Sequence, residues 1–104
     1  MNAQANDFPT GVFVHETRPI WTLQFNDDGS YAFRVNDVVD ATGTYTINGD
    51  RYTEDTDYPP CRQARTATYR FCYDHGRLVF HLVGEDNCAE RRASLDGVTW
   101  FRQE

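Results

Sequence analysis

Few arrangements of the reactive side chains in this chain could do chemistry. His15 ends an apolar stretch, His75 lies in a turn and His81 sits opposite Phe80, so the three histidines do not converge. Cys61, Cys72 and Cys88 contain no Cys-x-x-Cys pair and lack the spacing of zinc ligands. The acids Asp50, Glu54, Asp55 and Asp57 lack the register of a calcium loop and read as a solvated edge and loop. No nucleophile elbow, phosphate loop or Cys–His pair is present. Neither a metal nor a cofactor is therefore expected. What remains is a carboxylate, an arginine and a set of tyrosines. Tyr52 and Glu54 stand two apart, and Arg91 follows much later. A carboxylate among hydroxyls is either half of a buried ion pair or a general acid or base.

The elements that must position these groups are strands. The chain has 104 residues, 39% hydrophobic and 14% aromatic, with net charge −6, a length that suits one domain. All 10 basic residues are Arg. The acidic balance argues against nucleic acid and against an anionic membrane surface. No apolar run approaches the roughly 18–20 residues of a membrane span, so no membrane insertion is expected. Alternation with period two predicts nine strands: Gly11–His15, Ile20–Phe25, Ser30–Asn36, Thr42–Ile47, Arg51–Asp55, Ala67–Tyr73, Leu78–Val83, Arg91–Leu95 and Val98–Arg102. Tight-turn signals separate them at Asp28-Gly29, Asn48-Gly49, Asp74-His75-Gly76 and Asp96-Gly97. The fold class is all-β, an antiparallel up-and-down meander closed as a small barrel of 8–9 strands. Residues 1–10 form a flexible N-terminal segment, and 11–104 form the domain.

Tight and long connections alternate along this meander, so the tight turns gather at one end and the long loops at the other. The plan is a cup with a closed base and a loop-framed mouth. Cys61 and Cys88 both fall in mouth loops, which makes them the plausible bridge and Cys72 the spare thiol; three reduced cysteines are the alternative. A bridge would favour an exported protein, periplasmic or extracellular. Without it, localisation stays open.

The inward faces follow from the alternation, because a slip of one residue would expose the whole apolar set. They carry Trp21, Tyr31, Phe33, Tyr45, Tyr52, Tyr69 and Phe71, with Glu54 and Arg91 as the polar minority nearest the mouth. These nine residues are the candidate ligand-binding set. Either the rings simply fill the barrel, or they surround one small molecule. Glu54 with Arg91 or Arg102 is the natural ion pair. Arg91 could also anchor a ligand carboxylate or carbonyl. The Leu78–Val83 stretch is apolar on both faces, and its outer face could meet the N-terminal segment or a second subunit.

The chain resembles the lipocalin-like (calycin) barrels, especially small bacterial lipocalin-like domains. The carriers are Gly11-Val12-Phe13, Phe25-Asn26-Asp27-Asp28-Gly29-Ser30-Tyr31, Gly43-Thr44-Tyr45 with Asn48-Gly49-Asp50, Asp86-Asn87-Cys88 followed by Arg91, and Trp100-Phe101-Arg102. In that family an Arg of the last strand packs over a Trp in the first. Here Phe13 stands in the Trp position and Arg102 is the candidate Arg, with Trp100 beside it as a third structural residue. The chain departs from the classical pattern in being short and in lacking an expected helix before the last strand. The resemblance implies binding of one small, mostly apolar or aromatic molecule through the long-loop end. Two alternatives stand beside it: a cofactor-free isomerase or cyclase using Glu54 and tyrosine hydroxyls, and a dimerising interaction module without catalysis.

Overall fold

Alternating apolar and polar residues, rich in β-branched and aromatic types, carry the chain through successive hairpins. A computed structural model describes residues 8–103. Its strands are β1 (Gly11–His15), β2 (Trp21–Phe25), β3 (Ser30–Val35), β4 (Val38–Asn48), β5 (Arg51–Thr56), β6 (Thr66–Asp74), β7 (Arg77–Val83) and β8 (Thr99–Arg102). Each pairs antiparallel with its sequence neighbour, and β8 returns to β1 to close an eight-stranded barrel. The segment expected to be flexible, 1–10, lies mostly outside the described residues.

Two differences from the sequence expectation each have a local cause. The stretch expected as a strand at Arg91–Leu95 is a helix, α1 (Ala89–Leu95). Ala, Glu, Arg and Leu dominate it, and these are strong helix formers. Arg91 and Leu95 are four apart, so the helix buries both on one face, as the strand reading also required. The barrel thus does carry a short helix before its last strand. The connection expected at Asp37–Ala41 is instead the two-residue turn Asn36-Asp37, with φ of 55° and 68°. Both residues occupy the left-handed region that Asn and Asp tolerate, giving the twist a tight hairpin needs. The strand then continues from Val38, with an irregularity that leaves Asp40 unpaired opposite Phe33 and Arg34.

The alternation of ends survives both changes. The turns β2–β3, β4–β5 and β6–β7 form the base; the other connections, including the one holding α1, form the mouth. Strand β8 pairs only with Arg77–Val79 of β7. Beyond that point the end of α1 takes over: the Gly97 N–H donates to the Phe80 carbonyl at 2.8 Å, and the Leu82 N–H to Asp96 Oδ1 at 2.9 Å. Asp96-Gly97 is therefore a seam along mid-β7 rather than a base turn.

The base is packed with rings. Phe8 enters it, with centroids 5.0 Å from Phe25, 5.4 Å from Tyr52 and 4.9 Å from Phe71. Phe13 and Phe80 are fully buried around them. Each such side chain contributes about 1.5–3 kcal/mol of apolar burial. Arg102 closes the β1–β8 seam: its guanidinium lies 5.1 Å over the Phe13 ring, and its Nε donates to the Tyr73 hydroxyl at 2.7 Å. Gly11, at φ 118°, leaves room for that guanidinium; a Cβ there would sit 2.9 Å from Arg102 Nη1. Gly43 is required for a similar reason. A Cβ on it would collide with the Asp55 carbonyl and lie 2.8 Å from the Tyr31 ring.

Candidate functional site

Above the ring stack the barrel is hollow. A cavity of about 550 Å³ opens toward the mouth. Strands β2 and β3 supply one wall through Trp21, Leu23, Phe33 and Val35. The α1–β8 segment supplies the other through Leu95, Val98 and Trp100. His15, Tyr31, Glu54, Thr56, Tyr58, Arg91 and Ser94 are the buried or half-buried polar groups lining it. Asp40, Glu16, Arg18 and Glu90 stand at the exposed rim.

Of the nine candidate residues, Trp21, Tyr31, Phe33, Glu54 and Arg91 line this cavity. Tyr45, Tyr52, Tyr69 and Phe71 lie outside its lining. Tyr45, Tyr52 and Phe71 surround Phe8 in the base, where rings meet rings. The Tyr45 hydroxyl donates to the Asn26 carbonyl at 2.5 Å, holding a base turn. Tyr52 still reaches the site indirectly, because its hydroxyl donates to Glu54 Oε1 at 2.6 Å. Tyr31 donates to Glu54 Oε2 at 3.0 Å.

Glu54 belongs to a larger buried cluster. Arg91 Nη1 donates to it at 3.4 Å. The main partner of Arg91 is Asp86, which accepts from Nε and Nη2 at 2.8 Å each, a two-pronged ion pair. The remaining Arg91 N–H groups donate to the backbone carbonyls of Arg65, at 2.8 Å, and Ala64, at 2.5 Å. A guanidinium has five N–H donors, and here all are engaged. Asp86 also accepts from the Tyr69 hydroxyl at 2.5 Å and from the Cys88 N–H at 2.9 Å.

The two carboxylates respond oppositely to the same burial. Burial pushes Glu54 above the ordinary glutamate range, outweighing the Tyr52 and Tyr31 hydrogen bonds and the Arg91 charge. Burial acts on Asp86 in the same sense, but its bonds from Arg91, Tyr69 and Cys88 win, and it falls below the ordinary aspartate range. The close two-pronged pairing against the single contact at 3.4 Å accounts for the difference. Arg91 itself is held above its usual value, Asp86 and Glu54 overcoming the cost of burial. Tyr31 and Tyr69 are raised, first by burial and then by the carboxylates beside them.

The mouth is tied together around this cluster. Cys61 and Cys88 form a disulfide with Cα atoms 5.0 Å apart, joining the β5–β6 connection to the residue before α1. Cys72 is free and exposed. Arg91 bridges the same two segments through the Ala64 and Arg65 carbonyls. Trp100 Nε1 donates to the Ser94 carbonyl at 3.1 Å, fixing α1 to the last strand.

The chain matches no family model, no curated protein and no solved structure. What the site can do therefore has to be read from its geometry.

Sequence reasoning missed two groups. Asp86 pairs Arg91 more closely than Glu54 does, and its only local signal is the turn in which its side chain accepts the Cys88 N–H two residues on. His15 forms part of the cavity wall, edge-on to Trp21 and Trp100 at 5.2 and 5.0 Å. Its Nδ1 accepts the Thr17 N–H, and burial lowers its pKa, which favours a neutral ring.

Proposed function

We propose that this barrel binds one small, largely apolar molecule in the mouth half of its interior. The observation that carries the reading is the cavity: about 550 Å³, walled by aromatic and aliphatic side chains, with a few fixed polar groups. That volume and composition are usual for a site that encloses most of a small ligand. Glu54, held in place by Tyr31, Tyr52 and Arg91, gives that cavity a fixed polar anchor for a ligand. The eight-stranded meander, the helix before β8 and Arg102 over Phe13 support membership among the small lipocalin-like domains. The Cys61–Cys88 bridge supports an oxidising compartment.

Native mass spectrometry of the protein purified from its own organism tests the reading. It should show a one-to-one complex with a small molecule, and the mass deficit of one disulfide. Ligand-free protein that also takes up no neutral apolar probe would overturn the binding assignment. Reduced Cys61 and Cys88 in freshly isolated protein would overturn the compartment.

A further inference from the structure

We infer that the ligand is a hydrophobic monocation, a protonated alkyl- or arylalkylamine whose ammonium sits against Glu54. This rests on the cavity being the binding site. The charge around the cavity is mainly negative. Its lining carries Glu16, Asp40, Glu54 and Glu90 against Arg18 and Arg91. Arg91, the arginine that lies inside, is not free for an anion. All five N–H donors of Arg91 are engaged by Asp86, Glu54, Ala64 and Arg65. Arg18 lies exposed at the rim, its guanidinium 4.9 Å over the Trp21 ring. A ligand carboxylate deep in this cavity would face the Glu54 carboxylate, with every N–H of Arg91 already engaged.

A cation finds both things it needs. The buried cluster that Glu54 shares with Arg91 and Asp86 holds two acids to one base, so it lacks one positive charge when both acids are ionised. Glu54 Oε1 accepts only from Tyr52, which leaves an acceptor position for an ammonium hydrogen. Tyr31 and Tyr52 hold the carboxylate in place from β3 and β5, and Arg91 from α1. Aromatic faces attract a desolvated cation, and the Arg18–Trp21 contact shows one wall already engaged in that way. The apolar walls receive the rest of the molecule.

The test compares three probes with one skeleton: 4-phenylbutylamine, 4-phenylbutan-1-ol and 4-phenylbutyrate. They are titrated at pH 7 into the disulfide-bonded protein. Trp21 and Trp100, the chain's 2 tryptophans, both line the cavity and report binding by fluorescence. The amine should bind about tenfold or more tightly than the alcohol, with the carboxylate weakest. Glu54→Gln should bring the amine-to-alcohol ratio to within about threefold. The ranking on the unaltered protein decides the matter even if that variant does not fold. An alcohol or carboxylate that binds as well as the amine overturns the cation inference while the cavity reading stands. Failure of all three probes to bind overturns both.

Discussion

The base and mouth of this barrel are built from the same strands with the same alternation, yet one half is filled and the other hollow. In the base, Phe8, Phe25, Tyr52 and Phe71 pack ring against ring. In the mouth, β8 stops at Thr99, and the wall beyond it is supplied by the end of α1 and the residues that follow, through Leu95 and Val98. The base is held by apolar burial and the stacked Arg102; the mouth is held by a charged network and a disulfide. Inward-facing aromatics therefore do not by themselves decide between a core and a pocket. The closing element does.

The largest expected effect comes from removing the centre of the mouth network. Arg91→Met leaves Glu54 and Asp86 buried without their cation and should cost about 3–5 kcal/mol in chemical denaturation. Phe25→Ala in the base should cost a similar amount through a cavity. The two losses differ in how they are repaired. Adding Glu54→Gln and Asp86→Asn should recover a substantial part of the Arg91→Met loss and none of the Phe25→Ala loss. Equal recovery in both backgrounds would break the distinction between the halves.

A smaller contrast separates single hydroxyls. Tyr69→Phe removes a bond to the Asp86 carboxylate and should cost about 2 kcal/mol, whereas Tyr45→Phe removes a bond to the Asn26 carbonyl and should cost about 1 kcal/mol. The reverse order, measured by denaturation, would mean that the mouth charges are poorly coupled to folding.

The pH response should come mainly from the mouth. Asp86 is lowered from 3.8, so its stabilisation is present above that value and is lost as pH falls through its folded-state pKa. Glu54 is raised from 4.5, so its favourable contribution is complete below that value and disappears as pH rises through its folded-state pKa. Glu54→Gln does not titrate. Its stability relative to the unaltered protein should therefore improve as pH rises from 4 towards 8, by less than either effect above. A difference that is flat with pH would place Glu54 in an unperturbed setting.

Much of this architecture is legible in the residues. The alternation at Trp21–Phe25 and Tyr69–Phe71 assigns faces, and the turn chemistry at Asp28-Gly29 and His75-Gly76 assigns ends. Those two readings together bring Cys61 to Cys88. Other features resist reading for physical reasons. Ala89–Leu95 is too short for its period to separate helix from strand, since Arg91 and Leu95 share a face in either. Asn36-Asp37 lacks the glycine that marks a mirror-image turn most clearly. Asp86 depends on a partner that only the folded loop brings near. The division between the filled half and the hollow half was out of reach, because it is set by where β8 ends and where Phe8 inserts, and neither leaves a local pattern.

The central claim is that the interior is receptive at the mouth and closed at the base, and amide and indole chemical shifts test it most directly. Titration with a neutral apolar probe, N-phenyl-1-naphthylamine, should give saturable shifts at Leu23, Phe33, Leu95 and both tryptophan indoles, while Phe71, Tyr73 and the Asp28-Gly29 turn stay still. Shifts that centre on the base, or that never saturate, would contradict it.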